Sequence, residues 1–158
     1  AVDLESLLTV RMRTLTGAQN RRLKHELCDA MAGFILRLQN AGFVHRDFKA
    51  LNVIVQWDPA AAERPRITVV DLDGIRKSRK ARAGGHRRML MRLNVSVDAF
   101  RRVSLTDRAR LLHRYLARAG RPTSEWKSLW RELAAMSNRK RKVRARHQER
   151  SFRKYGRF

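Results

Sequence analysis

A long amphipathic segment at residues 17–41 constrains the fold of this chain more than any other feature. Its apolar side chains recur at steps of three and four residues, which is the spacing of one face of an α-helix. These side chains are Leu23, Leu27, Met31, Phe34, Ile35 and Leu38. The sequence Asn40-Ala41-Gly42 then provides a helix stop. We therefore predict one long helix that ends near residue 41.

Short β-branched runs follow this segment. Phe43-Val44 and residues 53–55 (VIV) come first, and residues 67–70 (ITVV) follow a loop that contains two prolines. Runs of this length and composition indicate two short paired strands.

Helices dominate the rest of the chain. Polar loop residues extend from 74 to 85, and three helices are predicted after them. They span roughly residues 87–100, 106–119 and 124–137. Ser104 or Thr106 is a candidate cap for the second. The predicted fold class is α+β, mainly α-helical, with a short β-hairpin.

Size and charge limit the classes of function. The chain has 158 residues, of which 43% are hydrophobic, so one domain with a real core is expected. Lysine and arginine number 37 against 14 aspartates and glutamates, which gives a formal net charge of +23. This excess predicts an anionic partner, either nucleic acid, an acidic membrane or a phosphorylated or carboxylated substrate. Nucleic acid is the weakest of these, because an aromatic content of 7% offers no obvious base-stacking platform.

Two further features bear on location. No stretch reaches the length of uninterrupted apolar sequence that a bilayer span needs. The single cysteine, Cys28, excludes a disulfide framework and a cysteine metal site within the chain, and we expect it to be a small buried apolar residue. A cytoplasmic protein is therefore predicted, with peripheral attachment to the inner face of the cell membrane as an open alternative.

Two polar loops flank the predicted hairpin. Residues 45–52 read HRDFKALN, and residues 71–74 read DLDG directly after the second strand. Phosphoryl transfer needs a carboxylate near the attacking hydroxyl, ligands for a metal that bridges the phosphates, and positive charge at the transferred group. Asp47 and Asn52 stand near the two ends of the first loop, and Asp71 at a strand end can approach the same metal. The pattern is typical of a kinase.

Both loops resemble those of a known superfamily. Residues 45–52 are similar to the catalytic loop of the protein-kinase-like fold, and residues 71–73 lie where that superfamily has its Asp-Phe-Gly metal-binding turn. Within it, the chain most resembles the bacterial lipopolysaccharide kinase family, whose members phosphorylate heptose or Kdo sugars of the lipopolysaccharide core. Besides the two loops, the segments that carry this likeness are residues 42–47 (GFVHRD), 90–94 (LMRLN) and 106–112 (TDRARLL).

The resemblance implies a role for five residues. Asp47 would orient and deprotonate the acceptor hydroxyl, and Lys49 would neutralise charge on the transferred phosphoryl group. Asn52 and Asp71 would hold Mg²⁺ and so help to bind ATP, while Ile54 would lie beneath the adenine ring. The implied cofactors are ATP and Mg²⁺, and the implied acceptor is an anionic sugar or glycolipid.

The chain also departs from the protein-kinase pattern. Asp73 stands where protein kinases have glycine and Leu72 where they have phenylalanine, so phenylalanine-based switching is not expected. No Ala-Pro-Glu motif follows to anchor a peptide. The basic residues 76–88 are either a solvated loop or a surface for an anionic sugar or lipid head group. His45 would be a support that packs under the metal turn.

The resemblance covers most of residues 1–137 and implies only the C-terminal lobe of a kinase. No glycine-rich phosphate loop or Val-Ala-Ile-Lys strand precedes the catalytic loop, and residues 3–8 (DLESLL) resemble the segment just after the hinge between lobes. We therefore expect a fragment that binds nucleotide weakly on its own. Residues 138–158 form a basic extension, either helical or loose. Its charges make either a solvated face or a phosphate- or membrane-binding surface.

Two other functions are open at this point. A protein serine/threonine kinase is favoured by residues 45–49 and disfavoured by the missing peptide platform. A non-catalytic basic module for nucleic acid or membrane surfaces would fit the net charge. Asp47 and Asp71 would then be turn-forming acids and His45 a hydrogen-bonded core histidine.

Overall fold

The computed structural model describes residues 1–61, 63–77 and 81–156, without the side chains of residues 81–84, 154 and 155. The strands in this part of the chain are β1 (Val2–Asp3), β2 (Phe43–His45), β3 (Val53–Gln56), β4 (Arg66–Val69) and β5 (Ile75–Lys77). The α-helices are α1 (Leu4–Thr9), α2 (Gly17–Asn40), α3 (Ala81–Ser96), α4 (Leu105–Arg118) and α5 (Trp126–Tyr155). The α+β class with mainly helical character is confirmed.

The predicted long helix is confirmed as α2. At its start, Thr16 Oγ1 accepts a hydrogen bond from the Gln19 N–H at 3.2 Å, and Gln19 Oε1 accepts one from the Thr16 N–H at 2.9 Å. This reciprocal capping box satisfies two backbone donors that a helix start leaves free. Leu23 and Ile35 on the apolar face are fully buried. Helix α4 packs along α2, so α2 lies at the centre of the helical layer.

The strands form two small antiparallel sheets. Strands β3 and β4 are the predicted hairpin, with Val53 opposite Val69, and β1 pairs with the other edge of β3. Strand β2 does not join this hairpin. It pairs with β5 and places His45 opposite Ile75, so the start of the first polar loop is tied to the end of the second.

The prediction of a polar loop over residues 74–85 is wrong in two places. Residues 75–77 form β5, and α3 begins at Ala81 rather than near residue 87. Two of the three residues of β5 are exposed cations, so the strand has no apolar alternation that a sequence could reveal. Its partner β2 specifies it instead, because β structure depends more on cross-strand packing than on intrinsic preference.

The last two helices differ in how well the sequence predicts them. Helix α4 agrees to within one residue, and Ser104 is its N-cap. Helix α5 is 30 residues long and continues to Tyr155 instead of ending near residue 137. The basic extension is therefore helical as far as Tyr155. Lysine and arginine lose little side-chain freedom in a helix, so the helix persists after its apolar face has ended.

The core joins the helical layer to the first polar loop. Phe48 of that loop is fully buried, and its ring stacks on Phe34 of α2 with centroids 6.3 Å apart. None of the described helices combines the length and apolar character required to cross a bilayer.

Candidate active site

His45 is fully buried and fixes the two polar loops to each other. Its Nδ1 accepts a hydrogen bond from the Asp47 N–H at 3.2 Å, which leaves the ring proton on Nε2. Nε2 lies 3.0 Å from the Val70 carbonyl and donates to it. The imidazole of His45 thus connects the backbone of Asp47 in the first loop to the backbone of Val70, which precedes Asp71. This is the supporting position predicted for His45.

Gly74 makes room for this imidazole. A Cβ atom at residue 74 would lie 2.8 Å from His45 Cε1, closer than side-chain atoms approach. The Gly74 carbonyl also accepts a hydrogen bond from the Arg46 N–H at 2.7 Å. The sequence analysis did not predict a role for Gly74. It compared residues 71–73 with Asp-Phe-Gly, in which the glycine corresponds to Asp73. The glycine that follows Asp73 was the available signal.

Asn52 joins the two predicted acidic residues. Its Nδ2 donates to the Asp47 carbonyl at 2.9 Å and lies 3.3 Å from Asp47 Oδ2 and 3.2 Å from Asp71 Oδ2. One turn of 3₁₀-helix at Ala50–Asn52 directs the amide between the two carboxylates. The fold therefore brings Asp47, Asn52 and Asp71 together, as the sequence predicts.

Asp71 has an unusual backbone conformation. Its φ of 64° and ψ of 60° are left-handed, and it is the only non-glycine residue with positive φ in the described part of the chain. Such conformations cost about 1–3 kcal/mol and cluster at functional sites. Two hydrogen bonds hold the backbone there, from the Val70 N–H to the Asn52 carbonyl and from the Gly74 N–H to the Asp71 carbonyl, both at 3.0 Å. The conformation turns the Asp71 side chain toward Asn52.

Lys49 forms an ion pair with Asp47, its Nζ lying 2.6 Å from Asp47 Oδ2. The hydrogen bond from Lys49 holds the pKa of Asp47 below its ordinary value, against the opposing effect of partial burial. Both side chains are more than 40% exposed, at 43% and 44%, so a substrate can reach them. The carboxylate of Asp47 is therefore ionised at neutral pH and accessible.

Helix α3 contacts the backbone of the first loop at two points. Ser96 Oγ accepts a hydrogen bond from the Ala50 N–H at 3.0 Å, and the His45 N–H lies 3.5 Å from Met89 Sδ. With Phe48 buried in the core, the loop is fixed at its start, middle and end. These contacts hold the backbone from which the Asp47 and Lys49 side chains extend, as a site that orients a substrate requires.

Ile54 lies on a different side of the site. In β3 the flanking Val53 and Val55 are buried in the core, so Ile54 points to the opposite face of the sheet and is half-buried. On that face it lies beside Thr68 of β4. Leu72 in the second loop is 68% exposed, so it does not occupy a core pocket as a buried switch residue would.

The donor set near Asn52 fits Mg²⁺ that is shared with phosphates. Within the described ranges, no group of three or more His, Cys, Asp or Glu side chains is placed to hold a metal ion by itself. Mg²⁺ in phosphate-transfer sites typically takes one or two protein ligands and completes its shell with phosphates and water. Asn52 Oδ1 accepts no hydrogen bond from the residues that the structure describes, and the Asp71 carboxylate lies beside it. These two groups could hold the ion.

Cys28 lies apart from this site, and it is half-buried rather than fully buried as the sequence suggests. It lies at an apolar cavity of about 100 Å³ between α2, α3 and α4. Burial raises the pKa of its thiol to about 12, so a reactive thiolate does not form.

The chain is similar to known proteins both in sequence and in fold. The family model described as the lipopolysaccharide kinase (Kdo/WaaP) family matches residues 1–115. A solved structure described as WaaP in complex with acyl carrier protein is similar, with a TM-score of 0.66 and 26% sequence identity. The similarity covers 88% of this chain and 55% of that one, so the chain spans about half the length of its solved relative. None of the curated proteins matches the chain.

Proposed function

The chain belongs to the lipopolysaccharide kinase (Kdo/WaaP) family, and on this premise we propose that it forms the catalytic lobe of an ATP-dependent kinase acting on a lipopolysaccharide-core sugar hydroxyl. The observation that carries the proposal is the Asn52 amide, whose nitrogen lies within 3.3 Å of both Asp47 Oδ2 and Asp71 Oδ2. An acceptor-facing carboxylate and a metal-facing carboxylate are thereby set side by side. In-line phosphoryl transfer requires this arrangement.

Each residue of the site has a distinct proposed task. Asp47, ionised and exposed, would accept a hydrogen bond from the acceptor hydroxyl, orient its oxygen and take its proton. Lys49 would leave its ion pair with Asp47 in part and turn toward the transferred phosphoryl group, where negative charge spreads. Asn52 Oδ1 and the Asp71 carboxylate would hold Mg²⁺, which supplies positive charge at the phosphates when bound. Ile54 would form the floor under the adenine, because it faces away from the core.

A lipopolysaccharide sugar is favoured over a peptide acceptor. The chain lacks the Ala-Pro-Glu motif that anchors a peptide platform in protein kinases. A net charge of +23 suits an anionic glycolipid. The same charge would suit a basic module without catalysis, but such a module gives no reason for an ordered Asp47–Asn52–Asp71 bridge or for the left-handed Asp71 backbone.

We also propose that residues 139–155, the basic half of α5, face an anionic membrane or glycolipid surface. Arg146, Arg150 and Arg153 are exposed and recur at steps of four and three residues, so they share one side of the helix. Phe152 beside them is 50% exposed. Such a surface attracts each nearby cation by about 1 kcal/mol. The side chain of Tyr155, and Phe158, lie outside the described residues.

A protein partner is a further proposal. The similar solved structure contains acyl carrier protein bound to WaaP. Association of this chain with an acyl carrier protein would agree with its excess of positive charge if the partner's contact surface is acidic.

The direct test is a transfer assay with the full-length protein. Phosphate transfer from ATP to a lipopolysaccharide-core oligosaccharide is expected, and it should require Mg²⁺. The same assay with a mixed peptide library should give no transfer. Transfer to peptides but not to the oligosaccharide would establish a protein kinase instead, and magnesium-independent binding of nucleic acid without transfer would establish the non-catalytic module.

A further inference from the structure

Helices α3 and α5 run side by side in the same direction next to the first polar loop. Arg87 Nη1 lies 3.0 Å from Glu132 Oε1, and Asn94 Nδ2 lies 3.1 Å from Ser137 Oγ. Both pairs advance together along the two helices, so the helices are parallel. The residues of α5 that follow Ser137 therefore lie beside the end of α3, where the first polar loop is anchored.

Arg92 occupies the face of α3 that holds this loop. Met89 and Ser96 on that face contact the backbone of His45 and Ala50. Arg92 follows Met89 by three residues and precedes Ser96 by four, so it lies between these two anchors on one side of the helix. It is half-buried.

Lys140 approaches the same place from α5. It follows Ser137 by one turn, and Ser137 is fully buried against Asn94. Its neighbour Arg141 pairs with Asp98 just beyond the end of α3, with Nη2 2.6 Å from Asp98 Oδ2. Lys140 is also half-buried, so its ammonium group is partly removed from water beside α3.

The charges of Arg92 and Lys140 reach Asp47. Besides the larger effect of its hydrogen bond with Lys49, Asp47 has its pKa lowered by Lys140 and by Arg92. Burial lowers the pKa of Lys140, and the charge of Arg92 lowers it further. The cations of Arg92 and Lys140 are thus both partly removed from water near the Asp47 carboxylate, and they repel each other.

No structural partner explains this pair. Neither the Arg92 side chain nor the Lys140 side chain forms a hydrogen bond or an ion pair with any residue that the structure describes. Comparable half-buried cations elsewhere in the fold are paired: Lys24 Nζ lies 2.7 Å from Asp107 Oδ2, and Arg108 Nη1 lies 2.9 Å from Asp98 Oδ1. Partial burial of an unpaired charge is costly, and buried charges are normally paired. An anionic ligand would remove this cost.

We propose that Arg92 and Lys140 bind an anionic group of the acceptor, a carboxylate or a phosphate, beside the hydroxyl that Asp47 orients. This inference rests on the proposed function. The nucleotide is the other source of anionic groups, but its position disfavours it. Helix α5 packs against α3 and α4, whereas the hairpin sheet that carries Ile54 packs against α1 and α2. The two cations therefore lie on the acceptor side of Asp47, away from the proposed adenine floor.

The proposal gives the basic extension a part in substrate choice. Lys140 lies within residues 138–158, which the sequence separates from the catalytic lobe, and beyond the residues 1–115 that the family model matches. Arg92 lies within the matched residues. One half of the anion site thus belongs to the matched segment, and the other half comes from the basic helix.

The test compares Lys140→Gln and Arg92→Gln with Lys142→Gln in the full-length protein. Lys142 is exposed on the same turn of α5, so its substitution removes an equal charge outside the site. Three soluble acceptors are used: a lipopolysaccharide-core oligosaccharide, its carboxyl-methylated form and its dephosphorylated form. Charge-assisted hydrogen bonds to an anion predict that KM for the unmodified oligosaccharide rises about tenfold in each site variant. KM for MgATP should not change.

The modified acceptors identify the anionic group. In the parent protein, KM should rise at least as much for the modified acceptor whose lost group is the ligand, because both contacts are then lost. In the Lys140→Gln variant that same modification should raise KM less than in the parent, because only the contact with Arg92 remains to be lost. A variant that behaves as Lys142→Gln does would overturn the proposal. So would an equal KM increase for all three acceptors, or a KM increase for MgATP, which would assign the cations to the nucleotide.

Two further measurements keep the result decisive. Thermal unfolding should show that Lys140→Gln is at least as stable as the parent, because Lys140 has no partner among the described residues to lose and its partly buried charge is removed. If Arg92→Gln does not fold, Lys140→Gln decides alone. Should the parent transfer phosphate to none of the acceptors, the proposed function fails, and calorimetric binding of the same oligosaccharides without nucleotide then tests the anion site by itself. Equal binding by the parent and by Lys140→Gln would overturn it.

Discussion

The two polar loops and the basic half of α5 differ in how their side chains are held. In the loops, His45 and Phe48 are fully buried, and the Asn52 amide reaches both carboxylates. Along α5, residues 142–150 are all exposed. The loops depend on particular residues at particular positions, whereas the helix depends on composition. Substitutions in the loops should therefore change activity strongly. Substitutions among residues 142–150 of α5 should change surface binding only slightly, whichever cation is removed.

Asp71→Asn should have the largest effect among the residues of the second loop. It removes one charge from the proposed metal ligand, so the affinity for MgATP should weaken and turnover should fall at least about 100-fold. Binding titrations over a range of Mg²⁺ concentrations and a transfer assay measure both. Asp73→Asn is the matched control, because Asp73 is exposed in the same turn. Unchanged magnesium dependence in Asp71→Asn would remove Asp71 from the metal site.

Gly74→Ala should come next, since its Cβ would lie 2.8 Å from His45 Cε1. Overpacking a tight site costs about 1–3 kcal/mol of unfolding free energy. Displacement of His45 should also shift Asp47 and lower turnover by about tenfold to 100-fold. Gly33 lies within α2, and the atoms nearest to a new Cβ at this position would be 3.6 Å away. Gly33→Ala should therefore raise the free energy of unfolding by about 0.5–1 kcal/mol. Equal stability of both variants in chemical denaturation would mean that Gly74 is not required.

Asp107→Asn tests a charge that is paired within the helical layer. Burial raises the pKa of Asp107, but hydrogen bonds from Lys24 and Ser104 outweigh this effect and hold it below its ordinary value. A lowered folded-state pKa stabilises the fold above the unfolded-state pKa, and this stabilisation is lost as pH falls through the folded-state pKa. At neutral pH the free energy of unfolding of the variant should be about 2 kcal/mol lower than that of the parent.

The same difference should begin to shrink below about pH 4, the ordinary pKa of an aspartate in the unfolded state, and should vanish as the pH falls through the lower folded-state pKa. Denaturant titrations at several pH values measure it, with Asp73→Asn as the control for loss of an exposed carboxylate. A difference that stays constant down to low pH would show that the ion pair with Lys24 contributes little.

Arg150→Gln in exposed α5 should have the smallest effect. One cation near an anionic surface contributes about 1 kcal/mol, so binding to anionic vesicles should weaken about fivefold at low salt. Added salt should remove most of the difference because it screens the charge. Arg21→Gln removes an exposed charge from α2 and should leave vesicle binding unchanged. If the two variants bind equally, the basic half of α5 is a solvated face.

The same contrast explains what the sequence could predict. The HRDFKALN loop and the acid after the second strand resemble a kinase pattern in residue identity and order, so the proximity of Asp47, Asn52 and Asp71 was predictable. The long helix was predictable because its apolar face repeats over about four turns, from Leu23 to Leu38. The pattern of the helix and the pattern of each polar loop are each contained in one continuous segment.

The remaining features depend on contacts between distant segments. Strand β5 exists because β2 pairs with it, and Gly74 is needed because His45 lies against it. Arg92 and Lys140 meet near Asp47 only because α3 and α5 pack in parallel. No local pattern encodes these contacts. The end of α5 was missed for a different reason, since apolar periodicity stops near residue 137 while helix preference does not.

The central claim is that Asp47 acts on the acceptor while Asn52 and Asp71 serve the metal and nucleotide. It is tested most directly by measuring, in one full-length Asp47→Asn preparation, both MgATP affinity and phosphate transfer to the core oligosaccharide. Transfer should fall at least about 100-fold, because a general base is lost. MgATP affinity should stay at the parental value, because no ligand to the metal or the nucleotide is removed. Transfer close to the parental rate would contradict the account.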